Sequence, residues 1–525
     1  MVFTSLKFAA FFAAIFILYF CLPAKYQRFV LLIGSYIFYA FTSVKALFML
    51  FAITLITYAG GRVIGANHEN EEAYLAANTL EKEDKKAYKA SQAKLRGYFL
   101  TAVIVALLGI LFVFKYLNFT LFNISLLLGT SSSFKNLEIL LPIGLSFYMF
   151  QTMGYVIDVY RGSVEAEKDI TKYALFASYF PQIMQGPIGD YSRLAPQLYS
   201  EHQFDVSQAV LGLQRVAWGV FKKLVIANNI SLAIDRVFNT YWTWEGFVWV
   251  IVLCMYAIHL YADFSGYMDI AIGCSQILGI EIDENFNAPY FSKSVPEFWR
   301  RWHMTLGAWF KNYLFYPLLR TKWLDGMRKK FKKAGKKQLS STLPTVIALG
   351  ITWVLTGIWH GASWNYLAYG AYYAFFLMMA AAMEPVYTKW QQKHPKISDS
   401  KWFNAFRVVR TFTIVTFEYA IFRPYSLTAT GHIISSMFTC INKSDVGRFL
   451  FANYYYIFAA VLGTIVLTAV DVYHLKHTEK CSLRNHILAL PAYKKHALYI
   501  LVILATIFLG AYGDASLNSF AYFQF

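Results

Sequence analysis

A single histidine, His360, interrupts the apolar stretch ITWVLTGIWHGASWNY at residues 351–366. Because an ionisable side chain is costly in lipid and usually faces a polar cavity, this histidine is a candidate catalytic residue. A neutral imidazole, with an ordinary pKa of about 6.5, can take a proton from a hydroxyl near neutral pH. The simpler alternative is that His360 only hydrogen-bonds a neighbouring helix. Gly357 and Gly361, four residues apart, predict that a second helix approaches closely here.

Two carboxylates lie in a second apolar stretch, DFSGYMDIAIG at residues 263–273. Asp263 and Asp269 are six residues apart, which is about 600° of helix, so they do not share a helical face. We therefore do not expect them to act as a paired acid and base. For Asp269 we favour a capping role at a broken helix, and Asp263 remains open as a substrate-binding candidate.

A third stretch, residues 285–319, contains the start of a helix. Ser294 and Glu297 have the spacing of a capping box, and Pro296 falls in the first turn. The pattern predicts that a helix begins at this point and carries the aromatic and basic residues that follow.

Trp299, Trp302 and His303 fall at i, i+3 and i+4, which predicts a shared face of that helix. Arg300 and Arg301 lie to the side, where they can pair with an acidic neighbour or an anionic ligand. Taken alone, the segment has the composition of an amphipathic helix at the membrane interface, with tryptophan and arginine at headgroup depth. That interpretation and ligand binding both stay open for these tryptophans and arginines, whereas for His303 we favour a functional role.

These residues must be positioned by helices in a membrane. The chain of 525 residues is 57% hydrophobic and only 15% charged, whereas a soluble protein has about 25% charged residues. Apolar runs recur along the chain, among them residues 173–188, and several are short for a span of about 20 residues. We expect an all-α polytopic membrane protein with about eleven to thirteen helices that cross or enter the membrane around a central cavity.

Charge and cysteine usage narrow the class further. The net charge of +18 does not indicate nucleic-acid binding, because the basic residues lie mostly between apolar runs, where they set orientation and contact anionic lipid. The five cysteines include no CxxC pair, so we expect neither a metal site nor a disulfide framework. The first apolar run, Phe8–Leu22, lacks the A-x-A cleavage site of a signal peptide, so we interpret it as a helix that is retained in the mature protein.

The basic segments predict the orientation of the chain. Residues 321–342 form a strongly basic loop that we place in the cytoplasm, together with the basic segments 389–410 and 474–495. This arrangement places both termini outside, so the tail at residues 516–525 is predicted to lie at the outer face.

Five blocks of sequence together resemble the membrane-bound O-acyltransferase family, and within it the bacterial branch typified by the membrane subunit of alginate O-acetylation. The resemblance implies one acyltransferase domain over residues 1–525 with its core at 173–383, a tunnel through the membrane, and an invariant histidine at His360. The second polar position of the family falls on His303. The blocks are SYFPQIMQGPI at 178–188, DFSGYMDIAIG at 263–273, NFNAPYFSKSVPEFWRRWHMTL at 285–306, GIWHGASWN at 357–365 and FAYFQF at 520–525.

The implied chemistry is acyl transfer from a cytoplasmic thioester, acetyl-CoA, to a hydroxyl, with no permanently bound cofactor. A hydroxyl needs a general base, which we assign to His360, and we assign His303 to positioning or polarising the donor carbonyl. The Trp299–Trp302 cluster, with Arg300 and Arg301, would contact the coenzyme A. Asp263, Trp359 and Asn365 are further substrate-binding candidates.

The resemblance also implies an acceptor outside a bacterial cytoplasmic membrane, an extracytoplasmic polysaccharide or cell-wall polymer, and a secreted or membrane-tethered partner of the SGNH type with a serine nucleophile. Tyr522 in the tail is a candidate acyl carrier, because its F-x-Y-x-x-F setting resembles the ending of this branch; an aromatic anchor is the alternative. Other functions left open are D-alanyl transfer to teichoic acids, transport of a lipid-linked saccharide, and a scaffold for a secreted transferase.

Overall fold

The fold is helical throughout the part of the chain that a computed structural model describes, namely residues 2–130, 134–139, 141–439, 443–477 and 482–513. Within these ranges, the one isolated β-bridge joins Phe286 to Trp302. This confirms the predicted all-α class.

The helices, numbered in chain order, are α1 Leu6–Cys21, α2 Gln27–Ala40, α3 Val44–Ala77, α4 Lys82–Leu111, α5 Leu117–Leu127, α6 Leu145–Arg161, α7 Ile170–Ser178, α8 Tyr191–Tyr199, α9 Val206–Phe221, α10 Asn228–Asn239, α11 Val248–Ile277, α12 Val295–Arg301, α13 Met304–Phe310, α14 Tyr316–Leu319, α15 Lys322–Lys333, α16 Lys337–His360, α17 Trp364–Lys393, α18 Pro395–Ser398, α19 Lys401–Phe422, α20 Leu427–Thr439, α21 Lys443–Ala452, α22 Tyr454–Lys476, α23 Ser482–Ala489 and α24 Ala492–Leu509. Single π-helical turns continue α4, α9 and α13 at Phe112–Tyr116, Lys222–Ala227 and Lys311–Phe315.

Seven helices in the described ranges are long and apolar enough to cross a membrane, by length and composition. They confirm the predicted polytopic membrane protein. The candidate spans are Val44–Ala77, Lys82–Leu127, Val248–Ile277, Lys337–His360, Trp364–Lys393, Tyr454–Lys476 and Ala492–Leu509.

The chain divides into two compact units, one formed by Met1–Gly212 with Ala271–Asp283, the other by Leu213–Ile270 with Glu284–Phe525. In the first unit, the apolar run at residues 173–188 does not form one continuous helix. Helix α7 ends at Ser178 and the chain then turns through buried, irregular backbone to residue 189. The physical reason is Pro181, because a proline lacks the N–H that a helix needs and disfavours helical backbone in the residue before it.

In the second unit, the expected break near Asp269 is absent, because α11 runs without interruption from Val248 to Ile277. Asp269 instead accepts from Lys222 at 2.6 Å and from Arg215 at 3.0 Å, so its predicted capping role is wrong. The partners of this carboxylate come from an earlier part of the chain, Arg215 from α9 and Lys222 from the π-helical turn that follows it.

The basic segment predicted as a loop at residues 321–342 is mostly helical. Helix α15 is capped by the Thr321 hydroxyl, which accepts from the Leu324 backbone N–H at 3.5 Å, and Asp325 pairs with Lys329 one turn later at 2.7 Å. The chain reverses at Gly335, whose φ of +73° suits glycine, and α16 begins at Lys337. The basic charge therefore lies on a helix that leads directly into the helix bearing His360.

Helices α16 and α17 form a tight hairpin around two glycines. A Cβ atom placed on Gly357 would lie 2.8 Å from the Gly370 Cα atom, and one on Gly370 would lie 2.7 Å from the Trp353 carbonyl oxygen. Gly357 thus has the predicted role of admitting a neighbouring helix. Gly361 has a different one, since its Cβ would meet the ring of Tyr366.

Candidate active site

His303 lies between two helices, α12 and α13, and not on one continuous helix. The predicted capping box is present, since the Ser294 hydroxyl accepts from the Glu297 N–H at 3.3 Å, but α12 ends at Arg301. Trp302 is extended and His303 has a left-handed backbone, with φ of 47°. The prediction that Trp299, Trp302 and His303 share one helical face is therefore wrong.

Antiparallel backbone contacts between residues 285–287 and 301–304 hold this break in place. The Met304 N–H donates to the Asn285 carbonyl at 3.0 Å, and the Asn287 N–H donates to the Arg301 carbonyl at 2.9 Å. A left-handed histidine costs conformational energy and persists only where its surroundings enforce it, which is typical of functional sites.

The Asn285 side chain fixes which ring nitrogen of His303 carries hydrogen. Its Oδ1 atom lies 3.0 Å from the Thr305 backbone N–H and 3.3 Å from His303 Nδ1. Because the Thr305 N–H can only donate, the atom facing it is the amide oxygen, and His303 Nδ1 must donate to the same oxygen. His303 lies outside the seven candidate spans. Burial lowers the pKa of its imidazole, so the ring is neutral, and its Nε2 atom holds the lone pair.

This tautomer bears on the role expected for His303. A neutral ring whose Nε2 atom carries a lone pair accepts a hydrogen bond and cannot polarise a carbonyl oxygen through that atom. The geometry thus supports positioning through Nε2 as an acceptor, and it does not support the polarising alternative.

His360 is the last residue of α16 and sits among aromatic rings. Its ring centroid lies 4.9 Å from Trp359, 5.0 Å from Tyr369 and 5.6 Å from Phe422, each in an edge-on arrangement. Its Nε2 atom lies 3.4 Å from the Tyr369 hydroxyl. The side chain is half-buried, as a general base that must meet a substrate needs to be.

A cavity within the second unit brings the two histidines together. Its walls are supplied by α11, α12, α16, α17 and α19, and its volume is about 30 Å³. The structure therefore places four predicted site residues around one cavity, namely Trp299, Trp302, His303 and His360. The two histidines are 57 positions apart in the sequence (360 − 303). The lining residues are Leu260, Phe264, Phe298, Trp299, Trp302, His303, His360, Tyr369, Tyr373, Glu418, Tyr419 and Phe422.

Several predicted substrate-binding residues lie outside this lining. Asp263 is 1% exposed and pairs with Lys223 at 2.6 Å, so its charge is used within the fold. Asn365 donates to the carbonyls of Ile421 and Pro424 at 2.8 and 3.1 Å, which ties the start of α17 to the end of α19. The structure therefore does not bring these two side chains to the cavity that holds the histidines.

The remaining predicted residues border the cavity or face away from it. Trp359 is buried between the two histidines, with its ring 6.4 Å from that of His303, and packs behind the lining. Arg301 pairs with Glu297 at 2.8 Å, one of the two partners expected for it, and Arg300 is exposed. Tyr522 lies outside the described residues.

Sequence reasoning missed Glu418, Tyr369, Tyr373 and Asn285. Glu418 had a signal that could have found it, because it is the one charged residue in the apolar run at residues 411–422. The tyrosines had none, since aromatic residues are common throughout this chain. Among the described residues, no group of three His, Cys, Asp or Glu side chains is placed to hold a metal ion.

Comparison with known proteins bears on this cavity. The family model of the membrane-bound O-acyltransferases matches residues 166–422, which include both histidines and the whole cavity lining. The chain is 32% identical to a probable alginate O-acetylase of Azotobacter vinelandii over 443 residues, covering 84% of this chain and 78% of that protein.

More distant relatives have related names. A peptidoglycan O-acetyltransferase of Helicobacter pylori is 28% identical over 83% of this chain and 79% of its own length. A teichoic acid D-alanyltransferase of Bacillus subtilis is 28% identical over 53% of this chain and 68% of its own length. The multi-pass helices, the cavity that joins His303 to His360 and these similarities agree: this chain belongs to the membrane-bound O-acyltransferase family and is an O-acyltransferase.

Proposed function

We propose that this protein moves an acetyl group from cytoplasmic acetyl-CoA through the bacterial cytoplasmic membrane, for O-acetylation of an extracytoplasmic polysaccharide or cell-wall polymer. The observation that carries the proposal is the cavity shared by His303 and His360. Further support comes from the relatives, because those that match most of this chain are named as O-acetylases or O-acetyltransferases.

In the proposed reaction, His360 takes the proton of an acceptor hydroxyl as the hydroxyl oxygen attacks the thioester carbonyl. The new C–O bond forms, the C–S bond breaks, and the proton passes from the imidazolium to the departing thiolate. The contact between His360 Nε2 and the Tyr369 hydroxyl orients the ring. His303, fixed by Asn285, positions a donor group through its Nε2 lone pair.

The orientation proposed for the chain has the donor enter from the basic side and reach His360 with its thioester end. Lys337 begins α16 and His360 ends it, so the histidine lies at the far end of that helix from the basic helix α15. Basic residues near the cytoplasmic ends of spans follow the general rule for membrane proteins. The proposal thus has acetyl-CoA enter from the basic side and both termini lie outside.

The acetyl group must then reach a polymer outside the membrane. We propose that Tyr522 carries it as an aryl ester to a partner with a serine nucleophile, of the SGNH type, at the outer face. The chain leading to the tail is fixed, since the Ala511 N–H donates to the Leu224 carbonyl at 3.0 Å and Asn228 donates to the Ala511 carbonyl at 2.9 Å. From that anchor the eleven residues to Tyr522 can reach about 36 Å when extended.

The function is tested with purified protein and acetyl-CoA labelled in the acetyl group. We expect release of coenzyme A and transfer of label that depend on the protein, and much slower turnover of a D-alanyl thioester on a carrier protein. Faster use of the D-alanyl donor would indicate D-alanyl transfer to teichoic acids instead of O-acetylation. Movement of a lipid-linked saccharide without thioester cleavage would contradict acyl transfer altogether.

The carrier role of Tyr522 is tested by Tyr522→Phe, which keeps the aromatic ring and removes only the oxygen. We expect this variant to lose acetylation of the polymer and labelling of the tail, because no phenol is left to form the ester. Phe520→Leu is the matched control within the tail. Normal polymer acetylation by Tyr522→Phe would identify the tail as an anchor.

A further inference from the structure

Glu418 is a buried carboxylate in the wall of the catalytic cavity, and the proposed reaction gives it no role. It lies near the end of α19 with 1% of its surface exposed. Its Oε2 atom accepts from the Tyr373 hydroxyl at 3.4 Å, and its Oε1 atom has no hydrogen-bond partner among the described residues. A buried acceptor left in this state costs free energy unless a ligand supplies a donor.

Other buried carboxylates of the same unit are satisfied within the fold. Asp263 pairs with Lys223, and both oxygens of Asp471 accept from the Tyr261 hydroxyl at 3.0 Å. Neither carboxylate lines the cavity, whereas Glu418 does. The incomplete bonding of Glu418 therefore coincides with its access to a ligand.

A hydrogen-bond donor without a partner lies in the same part of the cavity wall. The indole Nε1–H of Trp299 is buried and has no partner within the described ranges. The Trp299 ring packs edge-on against Tyr373, with centroids 4.8 Å apart, and Tyr373 is the residue that bonds Glu418. One acceptor and one donor thus flank a single tyrosine, which is the pair that an amide group, with its N–H and C=O, can satisfy.

The position of this pair along the cavity also agrees with an amide of the donor substrate. Tyr369 contacts His360, and Tyr373 lies four residues, or roughly 6 Å, further along α17. That direction leads to Lys389 and Lys393, at the basic end where the proposed donor enters. In a pantetheine thioester, two carbons separate the sulfur from the nearest amide nitrogen, which places that nitrogen about 5–6 Å from the reacting carbonyl carbon.

We propose that Glu418 and Trp299 recognise the first amide of the pantetheine arm: Glu418 Oε1 accepts from the amide N–H and the Trp299 indole donates to the amide carbonyl. Both are positioning residues that hold the thioester carbonyl beside His360. This inference rests on the proposed function, because it takes a pantetheine thioester as donor. Coenzyme A and acyl carrier proteins share this arm, so the pair recognises the arm of either source.

The test compares two small donors that differ at one group. S-acetyl-N-acetylcysteamine contains the amide, and S-acetyl-2-acetoxyethanethiol replaces its N–H with an ester oxygen. We expect the wild-type protein to prefer the amide donor in kcat/KM by roughly tenfold, because the hydrogen bond from the amide N–H to Glu418 Oε1 is lost with the ester. Glu418→Leu should use both donors equally, and Glu418→Gln, which keeps an acceptor oxygen, should retain part of the preference.

Asp471→Asn is the matched control, because it changes a buried, tyrosine-bonded carboxylate outside the cavity and should keep the wild-type preference. A merely structural role of Glu418 would lower the rates with both donors and leave their ratio unchanged, and that result would overturn the inference. If Glu418→Leu does not fold, the wild type and Glu418→Gln decide, and an unchanged ratio again overturns it.

Two further arms separate the possible failures. Acetyl-CoA and an acetylated carrier protein are both tested with the Glu418 variants: an equal rise in KM for both supports recognition of the shared arm, and no rise for either contradicts it. If the wild-type protein cleaves no thioester at all, the proposed function fails. If it cleaves both small donors at equal rates, only the inference about Glu418 and Trp299 fails.

Discussion

Two buried polar regions of the second unit bond their ionisable side chains in different ways. Midway along α11, Asp263 meets Lys223 at 2.6 Å and Asp269 meets Lys222 at the same distance. In the cavity, the distances from His360 to the Tyr369 hydroxyl and from Glu418 to the Tyr373 hydroxyl are both 3.4 Å. The first region therefore bonds charge to charge, and the second meets neutral phenols through long contacts.

The difference teaches that a buried ionisable residue in a membrane helix is not by itself a functional site. A charge that is paired at short distance holds two helices together, and removing one partner leaves the other buried and unpaired. A long contact to a phenol is weaker than a close ion pair and is more easily exchanged for a contact to a substrate. The partners of the residue, which the sequence does not display, separate the two cases.

The largest expected effect on activity comes from substituting His360 in the cavity. His360→Gln removes the base, and we expect kcat to fall by about 10²–10⁴-fold without a change in thermal unfolding. His259→Gln is the matched control, because His259 is also buried in this unit but bonds the Ala227 carbonyl at 2.9 Å and lies outside the cavity lining. Full activity in His360→Gln would sink the assignment of the base.

Disrupting an ion pair of α11 should lower the stability of the protein and leave its acyl-transfer activity unchanged. Asp263→Asn leaves Lys223 buried opposite a neutral amide, and we expect a loss of about 3–5 kcal/mol in unfolding free energy, with activity per folded molecule retained. Thermal unfolding in detergent measures the loss, and the double variant Asp263→Leu with Lys223→Met should recover much of it. If Asp263→Asn folds normally but transfers no acyl group, Asp263 contacts the substrate and does not only stabilise the fold.

His303 sharpens the comparison, because its ring joins the fold through Asn285 and the cavity through its own surface. His303→Ala should lower kcat/KM for the donor by roughly tenfold to a hundredfold, through loss of one buried hydrogen bond to the substrate. Asn285→Ala should have a smaller effect, since the ring remains but its tautomer is no longer fixed. Equal use of the donor by His303→Ala and the wild type would contradict the positioning role.

The smallest effect is expected at Arg300, which is exposed, and Arg301, which pairs with Glu297 at the end of α12. Replacing Arg300 and Arg301 together with alanine should raise the KM for acetyl-CoA by only about two- to fivefold, and less at high salt, because exposed charges are screened. Arg328→Ala on the basic helix α15 serves as a surface-charge control. An unchanged KM in the double variant would identify these arginines as lipid anchors.

Much of the fold and part of the candidate site could be predicted from the sequence. Composition and apolar runs were sufficient for the helical membrane class, because span length and low charge follow directly from the thickness of the bilayer. His360 could be identified because it is the one ionisable residue in its apolar stretch, and the close approach at Gly357 because a missing Cβ has a direct steric consequence.

The rest depends on contacts between segments that are distant in sequence. Whether Asp263 meets a substrate or Lys223 is decided by the packing of α11 against the turn after α9, which no local pattern encodes. The helix break at His303 is enforced by pairing with residues 285–287, which overrides the helical spacing of Trp299 and Trp302. Local reasoning therefore found the residues of the site more readily than their geometry.

The most direct test of the account is a structure of the protein with a stable thioether analogue of acetyl-CoA, in which a methylene group separates the sulfur from the carbonyl. The account predicts that the carbonyl lies in the cavity within hydrogen-bond reach of His360, and that the pantetheine arm passes Glu418 and Trp299 toward the basic end of α17. An analogue bound outside this cavity, for example on the face of α12 that carries Arg300, would contradict it.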